Sequence, residues 1–438
     1  MRTVSPGKHQ GTWRITLLAA LAVFAQESTW NFYESQVPPM LREHISSAAV
    51  VGLLMGMDNL LGIFIQPWMG NRSDHTRTAW GRRMPYLVVG MPVAAGLFVL
   101  LPHAAASLPL LILVMFSYAV VANAFKPIAE ALVPDFIAPE RRSRANATVK
   151  IATSFTTIAA AVISLLLVDD HPKIAFAIPA VIMLISVAVL AATVRDSHSP
   201  AYQAAVAESE SRSEDALKRR RVRDTLKEIV RDSDRSRLLL LAAILLFGSA
   251  WSASRSLITP FGMETLGLSR GDAGGLTLPS GIAFIAAAYP AALLAERYGR
   301  LRVIAGGMTV FAAALVLGTF LRTATGVTVA LCIGAAGAAC FLVNAAVVLW
   351  NLAPSAQVFG TYAGMYSISW ASGGFVGPTL VGAMVDGTGW ALMLIDIALI
   401  AAVAIALVIR IDVGRRLMAR TRTQDGRTSR ADEEAVTE

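Results

Sequence analysis

The chain has 438 residues, of which 55% are hydrophobic and only 16% charged, and its mean hydropathy is +0.57. Soluble domains carry about 25% charged residues, so a water-soluble globular enzyme is a poor fit. The apolar residues fall in runs of about 20, the length of helix that crosses a bilayer, whereas a β-barrel would alternate polar and apolar positions.

These runs predict an all-α polytopic membrane protein with twelve transmembrane helices, at approximately 13–37, 47–69, 85–106, 109–133, 146–168, 174–194, 237–260, 272–295, 303–321, 326–351, 358–384 and 388–409. The formal net charge of +8 is read as topology and not as a nucleic-acid footprint. Most Lys and Arg fall on one side of this arrangement, while Arg42, Lys173, Arg270 and Arg322 fall on the other. By the positive-inside rule both termini are expected in the cytoplasm. The first apolar segment is long and carries polar residues, so it reads as a retained helix and not a cleaved signal.

Span 1 carries Glu27, Trp30, Asn31 and Glu34. The spacing i, i+3, i+4, i+7 puts all four on one helix face. A charge at mid-bilayer costs about 2.5–3.5 kcal/mol even on the lenient insertion scale. Two carboxylates, an amide and an indole on one face suit a wet cavity that binds a polar ring and a cation; a polar seam between helices is the other reading. Span 2 carries Asp58 and Asn59 at its middle and Gln66 two turns on. Asp58 is a second candidate proton carrier, or else a buried Asp hydrogen-bonded to span 4 or span 11. Glu27, Asp58 and Glu34 are thus the candidate proton-coupling residues.

The stretch from Gln66 to Tyr86 joins spans 2 and 3 and carries Arg72, Arg77, Arg82 and Arg83, with Asp74 four residues after Gly70. In span 4, Lys126 and Glu130 lie one turn apart. They pair with each other, or one of them serves a gate or a span 1 carboxylate. Span 5, Asn146 to Val168, contains neither Gly nor Pro. Residues 195–236 form the only long polar stretch between spans, and 211–223 is a candidate surface helix near anionic lipid or a plain solvated one. The expected layout is a first bundle over 1–194, a linker over 195–236, a second bundle over 237–412 and a disordered tail over 413–438.

In the second half, Arg255 lies within span 7, with Trp251 one turn below. It could bind substrate, neutralise a span 1 carboxylate, or snorkel to the interface. After span 8, Ala292, Glu296, Arg297, Tyr298, Gly299 and Arg300 echo the acidic residue and Gly-Arg of the first-half loop. Asn344, Tyr362, Tyr366 and Trp370 in spans 10 and 11 are candidate cavity residues, with ordinary packing as the alternative. Asp396 is placed near the middle of span 12 and ranks lower. Cys332 and Cys340 share a helix about 12 Å apart, too far for a disulfide.

Six plus six helices with an internal echo imply duplicated bundles with a site between them near the bilayer midplane. The chain resembles the major facilitator superfamily over almost its whole length. Its long loop after span 2 resembles the glycoside–pentoside–hexuronide:cation symporters through Asp74, Thr76, Arg77, Trp80, Gly81 and Pro85. It resembles the sucrose-transporter group at least as well, through Gln66, Pro67, Gly70, Ser73, Asp74, Gly81, Arg82, Arg83 and Pro85. The segment from Gly360 to Gly364 and on through Gly377-Pro378 looks like span 11 of that group. The region of Asn123, Ala131, Leu132 and Asp135 is similar to plant sucrose transporters, which have an essential aspartate at Ala119 and an arginine at Glu130, so the coupling residues differ. Melibiose-type symporters place a cation-binding aspartate where this chain has Gln66, which favours a proton over sodium.

The resemblance implies a symporter for a sugar or glycoside, proton-coupled and working by alternating access. Trp30, Asn31, Asn59, Asn123, Lys126, Glu130, Trp251, Arg255, Asn344, Tyr366 and Trp370 are its candidate substrate-site residues. Gly70, Asp74, Arg77, Gly81, Arg82, Arg83, Glu296, Arg297 and Arg300 form a candidate cytoplasmic gate. A proton-driven exporter of drugs or metabolites is the alternative, although such antiporters usually have a Gly- and Pro-rich span 5. A sensor that keeps the fold without transport is a third class. The sequence has no P-loop, catalytic dyad or metal-binding motif, and the six histidines fall in loops or tails. No cofactor, metal or enzymatic activity is expected. The expected partners are a small molecule, a proton and membrane lipid, and the expected setting is a monomer in a bacterial cytoplasmic membrane.

Overall fold

The computed structural model describes residues 7–136, 142–199, 202–203, 235–352 and 359–437. The described residues are helical throughout, without named strands. The first half comprises α1 (Gly7–Arg42), α2 (Ala48–His75), α3 (Met84–Ala104), α4 (Leu108–Glu130), the short α5 (Leu132–Phe136), α6 (Arg142–Leu167) and α7 (Pro172–Thr193). The second half comprises α8 (Ser236–Ser256), α9 (Ile258–Leu266), α10 (Arg270–Gly275), α11 (Leu278–Tyr298), α12 (Arg300–Leu321), α13 (Ala324–Asn351), α14 (Phe359–Thr388) and α15 (Met393–Thr437). Proline in the first turn of α3, α4, α7 and α11 starts these helices, where its missing N–H costs nothing.

Two hydrophobic cores divide the chain. One is built from Ala19 through Val194 and centres on Phe32, Phe98, Tyr118 and Phe176. The other runs from Leu240 to Ile411 and centres on Phe247, Phe311 and Phe341, with Ala48 reaching in from α2. Each core belongs to one half, as expected for paired six-helix bundles. Between them, α14 packs on both α2 and α8, and α6 packs on α1, α10 and α11.

Among the described residues, ten spans are long and apolar enough to cross a membrane by length and composition alone. The helix α1 falls short of that hydropathy, and the described part of α6, Ala152–Leu167, is a shorter apolar helix. The shortfall of α1 in hydropathy comes from Glu27, Asn31 and Glu34, which face other helices and not lipid.

Three expectations change. Spans 7 and 8 are not continuous: the first breaks at Leu257 between α8 and α9, the second at Leu276–Thr277 between α10 and α11. Each break lies where a proline ring would meet the carbonyl four residues back, Pro260 against Ser256 and Pro279 against Gly275. Asp396 is not near mid-membrane; it stands in the first turn of α15 and accepts from the Thr388 hydroxyl at 2.8 Å. The polar tail from Gly414 continues α15 as far as Thr437, and Arg416 pairs with Asp412 one turn earlier along it. The candidate surface helix at 211–223 lies outside the described residues.

Candidate functional site

The α1 face carries a connected polar chain. Lys126 Nζ of α4 lies 3.0 Å from Glu27 Oε1 and 5.3 Å from the centre of the Trp30 ring. Trp30 Nε1 donates to Glu34 Oε1 at 3.2 Å. Asn31 Nδ2 donates to the Glu27 carbonyl and to Thr156 Oγ1 of α6, each at 2.9 Å. Asn31 Oδ1 accepts from Thr157 at 3.1 Å and from Arg255 Nη2 of α8 at 3.2 Å. The chain of contacts therefore runs from α4 across α1 to α6 and into the second bundle.

Lys126 takes the span 1 carboxylate and not its helix neighbour, since Glu130 is exposed while Glu27 and Lys126 meet between helices, where attraction is less screened. The Lys126 and Glu27 side chains nonetheless keep 24% and 19% of their surface accessible. A purely structural ion pair sealed in the interior would not retain this access to water.

Asp58 is buried, and its Oδ1 accepts from the backbone and amide nitrogens of Asn59 at 2.5 and 2.8 Å. Asn59 lies against Gly374 of α14, where a Cβ would overlap its amide. Asn123 is turned into the α2–α4 contact: Nδ2 donates to the Asp58 and Ala119 carbonyls and Oδ1 accepts from Gln66. Asn344 is likewise turned away from the cavity, donating to the Cys340 and Ala291 carbonyls between α13 and α11. Both amides hold helices together. Trp251 packs between Phe284 and Phe311. Tyr366 and Trp370 stack in parallel at 6.4 Å, half-buried, on the second bundle. The Tyr362 side chain lies outside the described residues.

A narrow cavity bounded by Asn31, Glu34, Ser35, Thr157, Arg255 and Thr277 lies where the bundles meet, with room for about one water. Beyond it, toward the α1–α2 connection, the bundles are sealed. Arg42 pairs with Glu264 at 2.7 Å and lies over Trp390. Arg270 donates to the side-chain and backbone oxygens of Gln36 at 2.9 and 2.7 Å. Asp386 of α14 accepts from Ser47, Ala48 and Ala49, and Asp169 accepts from Ser269 and Gly271. Backbones touch here as well: a Cβ at Gly52 would overlap the Pro378 carbonyl, one at Gly56 that of Phe375, and one at Gly382 that of Ala48.

The end bearing the termini is organised differently. Arg82 donates through Nε and Nη2 to Asp135, at 3.1 and 2.7 Å, and Arg83 Nε reaches the same carboxylate at 2.8 Å. Asp196 accepts from the backbone nitrogens of Arg82 and Arg83. Gly81 has φ +104, and a Cβ there would overlap the Asp196 carboxylate, so only glycine fits. Arg82, Arg83 and Asp135 belong to the first bundle, and Asp196 directly follows α7, the last helix of that bundle. Arg77 is exposed and lies over the Tyr202 ring at 5.4 Å. Glu296 and Arg297 are exposed, Arg300 opens α12 half-buried, and Gly70 has open space beside it. Asp74 lies on α2, with its side chain outside the described residues.

The residues sealing the far end were not singled out in the sequence as a gate. Their only local signal is that Ser47 and Ser269 cap helices after short polar connections, and the acids that meet them lie in distant parts of the chain.

Two helical bundles with a charged, partly wet wall between them define a membrane transporter. The chain belongs to the Major Facilitator Superfamily, whose family model matches residues 17–288 and 259–433. Among curated proteins, the human "Membrane-associated transporter protein" is 29% identical over 82 residues, 18% of this chain and 16% of that protein. The Arabidopsis thaliana "Sucrose transport protein SUC4" is 28% identical over 102 residues, 23% of this chain and 20% of that protein. These matches span a fifth or less of the relatives' length.

Solved structures share the fold along nearly the whole chain. A bacterial homolog of the human lysosomal transporter Spinster, inward-facing and occupied, superposes with a TM-score of 0.71 at 13% identity, covering 94% of this chain and 98% of that one. The nucleoside transporter NupG gives 0.71 at 14% identity, covering 91% and 99%. A POT family transporter bound to 5-aminolevulinic acid gives 0.69 at 14%, covering 91% and 96%. At such identities the likeness is one of fold.

Proposed function

We propose that this secondary transporter is a proton-coupled symporter of a sugar or glycoside, with its termini in the cytoplasm. The observation that carries the reading is the Glu27–Lys126 pair seated on Trp30. Protonating Glu27 removes the charge that holds Lys126 over the indole. The ring face is then free to stack on the apolar C–H face of a sugar, while Glu34, Asn31 and Arg255 offer hydroxyl partners along the same wall. Neutralising the carboxylate also lowers the cost of closing the cavity around it. The gradient supplies about 2.3 kcal/mol per proton for each 100 mV.

The local similarity to a sucrose transport protein and the long loop after span 2 support the sugar class. The concentration of Lys and Arg at the end bearing the termini supports the orientation. Glu27 is the preferred carrier over Asp58, because Glu27 keeps water access and an exchangeable cation partner while Asp58 is buried against Asn59.

The test is uptake of labelled disaccharides into proteoliposomes under an imposed pH gradient. Accumulation should collapse with a protonophore; accumulation that survives it sinks proton coupling. Glu27→Gln should lose at least about tenfold in gradient-driven accumulation while still exchanging substrate across the membrane. Unchanged accumulation in Glu27→Gln together with loss in Asp58→Asn would move the proton to α2.

A further inference from the structure

The seal at the far end contains one arrangement twice. Asp386, in the last turn of α14, belongs to the second bundle. Its Oδ2 accepts from Ser47 Oγ at 2.5 Å and from Ala49 N at 3.1 Å, and its Oδ1 from Ala48 N at 2.6 Å, all on the first turn of α2 in the first bundle. Asp169 follows α6 in the first bundle. Its Oδ2 accepts from Ser269 Oγ at 2.5 Å and its Oδ1 from Gly271 N at 2.8 Å, on the first turn of span 8 in the second bundle. Both serines also cap their own helices, accepting from Val50 N at 3.3 Å and Asp272 N at 3.1 Å. Spans 5 and 11 occupy corresponding places in the two halves, as do spans 2 and 8. Each bundle thus gives one carboxylate and receives one.

We propose that Asp169 and Asp386 are paired latches that hold this end of the transporter shut, and that each transport cycle releases and remakes both. A carboxylate that takes a hydroxyl and one or two backbone N–H groups makes charge-assisted bonds, stronger than neutral ones. When the bundles part, each aspartate and each serine cap passes to water, so the latch opens without leaving a buried charge. Gly271 holds the second latch tight, since a Cβ there would come within 2.6 Å of the Asp169 carboxylate. Gly382, one turn before Asp386, plays the same part for the first, where a Cβ would overlap the Ala48 carbonyl. The proposal rests on alternating access alone and is independent of the sugar and of the coupling ion.

The experiment reads the opening of this end directly, without substrate. Spin labels are placed at Ala106→Cys and Thr323→Cys, exposed positions in the far-end connections of the two bundles, in a chain carrying Cys332→Ala and Cys340→Ala. Distances are measured by electron–electron double resonance in lipid nanodiscs. The parent chain should give mainly the short distance. Asp169→Asn and Asp386→Asn should each raise the ratio of long to short populations about tenfold, and the double variant roughly a hundredfold, since the latches sit on separate helix pairs and add. An unchanged distribution in the double variant overturns the proposal. A second measurement joins Ser47→Cys to Asp386→Cys by oxidation, in a chain labelled through genetically encoded side chains at positions 106 and 323. The cross-linked chain should stay at the short distance even with Asp169→Asn and relax on reduction. A long distance that persists in the cross-linked chain also overturns it. Failure of sugar uptake alone leaves both readouts intact and counts only against the proposed substrate.

Discussion

The two ends of the molecule use the same chemistry for opposite purposes. At the end bearing the termini, Asp135, within the first bundle, and Asp196, just after its last helix, gather Arg82 and Arg83. At the far end, Glu264, Asp169 and Asp386 reach across to the other bundle. Carboxylates that stay within a bundle make it a rigid body, whereas carboxylates that cross between bundles set how the two bodies stand to each other. Among the described residues, polar bonds tie the bundles together at the far end, while those of Asp135 to Arg82 and Arg83 lie within the first bundle.

The largest effect should follow from Asp135→Ala. Two buried guanidinium groups would lose their shared carboxylate, a change that costs about 3–5 kcal/mol, read as a large drop in thermal stability in detergent. The distance between far-end labels should not change in the protein that folds, because all members of the cluster lie in one bundle; a longer distance there would break the comparison. Next comes Gly52→Val, which puts a branched side chain against the Pro378 carbonyl. Over-packing of this kind costs about 1–3 kcal/mol, and here the penalty falls only on the closed far end. The label distances should shift toward the open form and transport should drop by about tenfold or more, with thermal stability changed less than in Asp135→Ala. The smallest effect is expected from Glu130→Gln. Glu130 is exposed and Lys126 is held by Glu27, so stability should stay within about 0.5 kcal/mol and uptake should be unaltered. Loss of uptake there would mean that Lys126 changes partners during the cycle.

The spans were legible because bilayer thickness imposes one length on every apolar run. The polar face of α1 was legible because helical period puts Glu27, Trp30, Asn31 and Glu34 on one side. The breaks in spans 7 and 8 had a signal in Pro260 and Pro279, which hydropathy averaging hides, since proline and its neighbours still sum to an apolar window. Lys126 could not be assigned from spacing, because Glu130 on its own helix and Glu27 on another were equally compatible with the sequence. Asn123 and Asn344 looked like cavity residues for a related reason: an amide in a span must find partners, and sequence does not say whether those are substrate hydroxyls or neighbouring carbonyls. The far-end seal was the least legible part. Asp386 and Ser47 are 339 positions apart, and a lone aspartate at a helix end reads as an ordinary surface residue.

The contact of α2 with α14 has one more consequence. Gly52, Gly56 and Gly382 bring main chain close to main chain along this contact, with the Asn59 amide set against Gly374 and Asp386 bonded to Ser47 in the same seam. Toothed helix surfaces must unmesh before they move, and each unmeshing step exposes a void. Where glycines set main chain on main chain, few side chains have to unmesh, so parting the two helices at these points exposes little void.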